Sequence, residues 1–122
     1  MTRFRPMLAR LDDRIVPTTL PAGFAETQLA AGLDQPTGLA VAPDGRVFVT
    51  EQTGDVRLIK NGTLVAAPFL TLGVDGAGER GLLGIALDPN FESNGFVYVY
   101  YTVRANGTAP AHNRISRFTA RG

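Results

Sequence analysis

The chain has 122 residues, 44% of them apolar and 19% charged, with a formal net charge of +1. That make-up belongs to a folded globular chain rather than a disordered one, and a charge so near neutral argues against nucleic acid or an anionic membrane surface as partner. No apolar run approaches the ~20 residues of a membrane-crossing helix, and the absence of cysteine excludes disulfides and thiolate metal sites and removes any redox argument for compartment.

The first 17 residues concentrate Arg3, Arg5, Arg10 and Arg14 against Asp12 and Asp13. Met7-Leu8-Ala9-Arg10-Leu11 is too short and too interrupted for the apolar core of a signal peptide. Residues 1–20 are therefore read as a disordered tail or sorting segment, and 21–122 as the folded part. Leu11-Asp12-Asp13-Arg14-Ile15-Val16-Pro17 resembles the Leu-Glu-x-Arg-x-Val-Pro stretch that opens many large exported bacterial proteins, which implies an extracellular or periplasmic location.

Beyond Pro21 helical periodicity is poor, and period-2 runs between turn residues predict eight strands, near 23–30, 37–42, 46–51, 55–60, 63–71, 82–87, 95–103 and 113–119. Pro43-Asp44-Gly45 supplies a tight turn, and Asn61-Gly62 is the strongest short hairpin signal available. A phrase is also said twice. Gly38-Leu39-Ala40-Val41-Ala42-Pro43-Asp44 returns 46 residues later as Gly84-Ile85-Ala86-Leu87-Asp88-Pro89-Asn90. Each copy leads into a glycine and a β-rich run, Val47-Phe48-Val49-Thr50 and Phe96-Val97-Tyr98-Val99-Tyr100-Tyr101. Self-similarity at ~40–50 residues with four short strands per unit is the pattern of a β-propeller. On this reading the fold is all-β. Residues 37–71 form one four-stranded blade, 82–119 give three strands of a second, and 23–30 would complete a last blade as its outer strand.

The small residues of each phrase suit an innermost strand, where blades crowd an axis. In an up-and-down sheet alternate connections emerge on one edge. The connectors 51–55, 72–81 and 103–112 then share a rim that collects Glu51, Gln52, Asp75, Glu79, Arg80, Arg104 and His112. The opposite rim holds mostly turn residues. Gly73-Val74-Asp75-Gly76-Ala77-Gly78-Glu79-Arg80-Gly81 is the best candidate site on the first rim, because a Gly-rich backbone lets a ligand approach closely. Its Gly76-x-Gly78-x-x-Gly81 spacing is no phosphate loop, since a strand follows where a helix is needed. The bland alternative is an inter-blade loop with solvated charges. Asp88, Asn90 and Glu92 invite a calcium reading, but Ser93 and Val99 stand where an EF-hand needs Gly and an acid, so they are read as turn formers. His112, the only histidine, is read as an ordinary loop residue, and no nucleophilic triad, paired carboxylates or metal cluster is assembled.

Gln35-Pro36-Thr37-Gly38-Leu39-Ala40, Val49-Thr50-Glu51 with Gly54, and above all Gly78-Glu79-Arg80-Gly81-Leu82-Leu83-Gly84-Ile85-Ala86-Leu87-Asp88-Pro89-Asn90-Phe91 resemble the glucose/sorbosone dehydrogenase family. Asn94-Gly95-Phe96-Val97-Tyr98-Val99 and Asn113-Arg114-Ile115-Ser116-Arg117-Phe118 follow in the family's order. The resemblance implies a six-bladed propeller that carries pyrroloquinoline quinone (PQQ) and calcium. It implies oxidation of a small sugar at its anomeric C–OH, with hydride passing to PQQ. Glu79 stands where glucose-oxidising members place a glutamine facing cofactor and sugar, which makes Glu79, with Arg80 and Gln52 beside it, the substrate- or cofactor-facing candidates. The family's catalytic histidine belongs to a later blade, as do most groups that grip PQQ and calcium. No catalytic or metal residue is therefore expected in this chain, and His112 does not match that histidine's motif. Two blades cannot close a ring, so the chain is expected to be an N-terminal fragment that neither binds PQQ tightly nor turns over sugar. The alternatives are a non-catalytic extracellular binding propeller and a calcium-dependent lactone hydrolase.

Overall fold

In the computed structural model, which describes residues 19–121, the chain forms two antiparallel sheets. The first holds β1 (Pro36–Val41), β2 (Val47–Glu51), β3 (Asp55–Lys60), β4 (Thr63–Leu64) and β5 (Leu70–Thr71). The second holds β6 (Leu82–Leu87), β7 (Phe96–Val103) and β8 (His112–Thr119), with a short helix α1 (Phe91–Asn94) between β6 and β7. The order β1-β2-β3-β4 and the order β6-β7-β8 are each a simple meander. The tail expected over residues 1–20 lies almost wholly outside the described residues.

Local chemistry explains the turns. Ala42 N donates to Arg46 O and Gly45 N to Ala42 O, closing the Pro43-Asp44-Gly45 turn. Asn61 and Gly62 both take positive φ, 53° and 75°, which is what a two-residue hairpin between β3 and β4 needs. Three expectations are corrected. The run 63–71 is not one strand: Pro68, which has no N–H to donate, sits between β4 and β5, and these pair with opposite ends of β3. Residues 23–30 form no strand, because no neighbouring strand lies beside them to accept their backbone bonds; Phe24 and Leu29 are exposed there. The connector 88–95, read as a plain turn, winds into α1, and Gly95 ends it in the left-handed conformation at φ 67°.

The repeated phrase is repeated in three dimensions. Leu39 pairs with Val49 and Val41 with Val47 in the first sheet, as Ile85 pairs with Val99 and Leu87 with Val97 in the second. Both inner pairings carry a register irregularity at the same place, Pro36/Gly38 and Leu82/Gly84. The inner strands β1 and β6 lie close together: a Cβ on Gly38 would stand 3.6 Å from Leu83 O and 3.7 Å from Gly84 Cα. Between the sheets lies one core, in which Phe48, Val56, Leu82, Val97 and Val99 are buried, with Phe91 of α1 closing its lower end. Phe48 meets Phe69 and Phe91 edge to face at 5.1 and 5.9 Å. These are two consecutive blades of a β-propeller.

Candidate functional site

The meander brings the expected connectors to one rim, and the hydrogen bonds show it. Gln52 follows β2, and its Nε2 donates to Gly78 O at 2.6 Å and Arg80 O at 2.8 Å in the connector before β6. Leu82 N donates to Gln52 O, and Asp75 N donates to Thr102 O from β7. Arg104, just past β7, donates from Nε to Val74 O at 2.8 Å. The Gly73–Gly81 connector is thus held from both blades, with Val74 buried beneath it.

Glycine is required at its end. Gly81 has φ +140°, and a Cβ there would meet Gln52 O at 2.4 Å and Gln52 Cγ at 2.7 Å. Within the loop the Asp75 carboxylate accepts from Ala77 N and pairs with Arg80 at 2.9 Å. The Ala77 N–H, followed by the Arg80 charge, holds the Asp75 carboxyl below its ordinary value of 3.8. Glu79 stands between the two carbonyls that Gln52 clasps. It is exposed and has no hydrogen-bond or ion-pair partner among the described residues.

The three candidates therefore share a rim but differ in what they have left to offer. Glu79 presents an unengaged carboxylate. The Arg80 guanidinium is exposed yet half committed to Asp75. Gln52 has spent both amide protons on the loop backbone, which makes it a brace for the loop. Glu51 opens the turn on the same rim, its carbonyl accepting from Gly54 N, but its side chain offers nothing there: it is 2% exposed, accepts from Asp34 N at 2.6 Å and lies 3.5 Å from Arg57 on the far face of the first sheet. His112 begins β8, and its Nδ1 lies 3.0 Å from Pro110 O, beside its own turn.

Sequence reasoning missed the threonines. Thr37 Oγ1 donates to Leu82 O at 2.7 Å across the blade boundary and lies 2.8 Å from the buried Thr50 Oγ1. The buried Thr102 Oγ1 accepts from Gly81 N and donates to Asn113 Oδ1. The signal was present: Thr50 and Thr102 each stand near the end of a second-in-blade strand made mostly of apolar and aromatic residues, and each is buried.

The opposite rim carries a cleft of about 400 Å³ lined by Asp44, Arg46, Glu92, Asn94 and Arg121 among others. Asp88 is a turn former there, accepting from Asn90 N, Asn94 Nδ2 and Tyr98 Oη. No group of three or more His, Cys, Asp or Glu side chains able to hold a metal occurs among the described residues, and no described helix is long and apolar enough to cross a membrane.

Residues 33–122 match the family model described as Glucose / Sorbosone dehydrogenase. Human Hedgehog-interacting protein is 36% identical over 88 residues, 65% of this chain and 13% of that protein. The PQQ-bound form of the aldose sugar dehydrogenase of Streptomyces coelicolor superposes with a TM-score of 0.62 at 35% identity, over 75% of this chain and 26% of that one. A Thermus thermophilus protein assigned as a glucose dehydrogenase superposes with a TM-score of 0.70 at 35% identity, over 79% of this chain and 28% of that one. The chain thus spans under a third of the length of each protein it resembles.

Proposed function

The chain belongs to the glucose/sorbosone dehydrogenase family, and from that premise we propose that it forms part of a PQQ-dependent oxidoreductase that oxidises an aldose or related sugar at the anomeric C–OH. The observation that carries this reading is the likeness of its two blades, at 35% identity, to a sugar dehydrogenase whose structure holds PQQ. The braced rim loop supports it, because the loop offers one unengaged carboxylate on a rigid mount.

Tested against the residues present, the cofactor fits only in part. PQQ is a tricarboxylate and asks for several cations. Arg80 and Arg104 are the guanidiniums bound into this loop, and each is already engaged, with Asp75 and with Val74 O. These residues make one wall of a site, and for calcium, which the resemblance also implies, the described residues hold no cluster of three or more acidic or His side chains. We therefore assign no chemical step to this chain alone. Its own contribution is positional. Glu79 would accept hydrogen bonds from sugar hydroxyls, Arg80 would set the local charge, and Gln52 and Arg104 would keep both in place. The tail's Leu11–Pro17 stretch, which resembles one that opens many exported bacterial proteins, supports an extracellular or periplasmic location in this proposal.

The experiment has two arms. The purified chain, given PQQ, calcium, an aldose and an electron-accepting dye, is expected to show no turnover above free PQQ; clear turnover would overturn the view that further blades are needed. In the second arm, residues 33–122 replace the matching segment of the Streptomyces aldose sugar dehydrogenase. The chimera is expected to oxidise aldose, and Glu79→Ala within it to lower kcat/KM by about tenfold or more, one lost charged hydrogen bond. A chimera that folds and binds PQQ but oxidises no aldose would overturn the reading. It would favour a non-catalytic extracellular binding propeller, the second reading, to which the 36% identity with a protein named for interacting with Hedgehog gives its support.

A further inference from the structure

Five Asn-Gly or Asp-Gly pairs stand in the described residues: Asp44-Gly45, Asn61-Gly62, Asp75-Gly76, Asn94-Gly95 and Asn106-Gly107. In such a pair the glycine nitrogen, uncrowded by any Cβ, can attack the carbonyl carbon of the preceding side chain. Attack needs a side chain able to swing onto that nitrogen, a nitrogen that is not already donating, and a backbone that can open. Four of the pairs are tied down. The Asp44 carboxylate accepts from Arg46 N and from Arg46 Nε at 2.8 Å, and Gly45 N donates to Ala42 O. Asp75 is held in the same way by Ala77 N and Arg80. The backbone N–H groups of Arg46 and Ala77 hold these two carboxyls below their ordinary value, so both stay ionised and resist a nucleophile. Asn94 accepts from Phe96 N and donates to Asp88, while Gly95 N donates to Phe91 O. Asn106 Oδ1 accepts from Thr108 N, Thr108 Oγ1 and Ala109 N, in a turn that backbone bonds close in both directions with Ala109.

Asn61-Gly62 escapes every one of these ties. The Asn61 side chain is exposed and has no hydrogen-bond partner among the described residues, and Gly62 N donates to none of them. A Cβ on Gly62 would meet nothing within 4 Å, so the approach is open. The pair is the tip of the β3–β4 hairpin, and β4 is an edge strand that pairs at two positions, Ile59 with Leu64 and Lys60 with Thr63. Few bonds must break for that tip to open and for the turn to leave its φ values of 53° and 75°. We propose that Asn61 is a modification site, the one pair of the five that deamidates and isomerises in the folded chain without an enzyme. Gly62 N gives its proton to solvent base and bonds to Asn61 Cγ; the Cγ–Nδ2 bond breaks, and the side-chain nitrogen leaves as ammonia. Water then adds to one carbonyl of the succinimide ring so formed, and a C–N bond of the ring opens. Opening at Cγ leaves an aspartate at position 61. Opening at the main-chain carbonyl carbon leaves an isoaspartate, with the chain routed through the side chain. Either product puts a carboxylate into a cleft of about 480 Å³ that Arg46 and Lys60 line. The isoaspartate also lengthens a hairpin loop whose length fixes strand register, so it unseats β4 from β3.

The test is peptide mapping of the full chain after warm, mildly alkaline incubation, folded and in parallel in concentrated urea, continued until the unfolded sample has converted. Trypsin separates the three asparagine pairs, because its cuts yield the peptides 61–80, 81–104 and 105–114. In the folded chain the 61–80 peptide is expected to change amide to acid about tenfold or more faster than the other two, with isoaspartate located at position 61 by backbone fragmentation. Urea is expected to bring the three peptides close to a common rate, since it removes the ties on Asn94 and Asn106. Asn61→Gln, whose longer side chain must close a larger ring, is expected to keep the circular dichroism of the parent and to lose the acidic form seen on ion exchange. Conversion of Asn94 or Asn106 in the folded chain at the rate of Asn61 overturns the proposal. So does a folded chain whose 61–80 peptide stays unchanged while the unfolded chain converts, or an acidic form that persists undiminished in Asn61→Gln.

Discussion

At the scale of single residues the rim loop is held by a few atoms whose removal has calculable effects. Gly81 combines φ +140° with a backbone oxygen 2.4 Å from where a Cβ would be. Gly81→Ala is expected to lose about 1–3 kcal/mol from the backbone conformation alone, read as a lower urea midpoint at unchanged m-value. Gly73→Ala in the same loop, where φ is ordinary and nothing lies within 4 Å, is expected to stay within about 0.5 kcal/mol of the parent. On the opposite rim, hydrogen bonds from Asn94, Tyr98 and the Asn90 N–H hold the Asp88 carboxyl below its ordinary 3.8. A carboxyl depressed in the folded state stabilises it fully above the unfolded value and loses that contribution as pH falls through the folded one. The melting temperature of the parent is therefore expected to drop below about pH 4 more steeply than that of Asp88→Asn, with the gap between them greatest near neutrality. Parallel curves would show that Asp88 contributes nothing through its charge. The Asp75–Ala77 and Asp44–Arg46 contacts act in the same direction. The partners of Asp88 were not legible in the sequence beyond its turn role, because they come from α1 and β7 and meet only once the chain has folded.

At the scale of elements, the strands were legible where local signals suffice and illegible where a partner decides. Val47–Glu51, Asp55–Lys60, Leu82–Leu87 and Phe96–Val103 carry their alternation and their turns with them, and each lies within one residue of its expected bounds. Residues 23–30 alternate as well as any of these, yet a strand also needs a neighbour's carbonyls, which no local pattern reports. The rim was legible for a topological reason, since alternate connections of a meander must emerge together. What each rim residue does there was not, because Gln52 was assigned from chemistry and its amide was consumed by a loop 26 positions away. The element that holds the blades together is β2. Phe48 is 0% exposed and sits edge to face on both Phe69 and Phe91. Phe48→Ala is expected to cost about 3–5 kcal/mol in urea unfolding. Substitution of the exposed Leu20 is expected to change stability by less than about 0.5 kcal/mol.

At the scale of the whole molecule, the question is whether two blades behave as one body or two. In a repeat protein each unit owes its stability to its neighbour as well as to itself, so units can unfold separately when the contact between them is weak. Here the contact is the core itself. The main buried cluster draws Phe48 and Val56 from the first sheet and Val97, Val99 and Tyr101 from the second, with Leu82 fully buried between them. If the sheets part, the second sheet keeps no buried cluster of its own, and the first keeps only the small one of Val47, Val49 and Ile59 on its other face. Polar ties across the same boundary, Thr37 to Leu82 O and Gln52 to Gly78 O and Arg80 O, would also be left unmade. Unfolding is therefore expected to be a single cooperative transition, and native-state hydrogen exchange should give the Val49 and Val99 amides the same opening free energy. Phe48→Leu, a milder lesion placed wholly in the first sheet, is expected to lower the protection of Val99 in the second as much as that of Val49. If β7 and β8 kept their protection while β1–β3 lost theirs, the two blades would be separate folding units. The rim loop that spans them would then be a hinge between two bodies, and a carboxylate mounted on it would lack the fixed position that the proposed site requires.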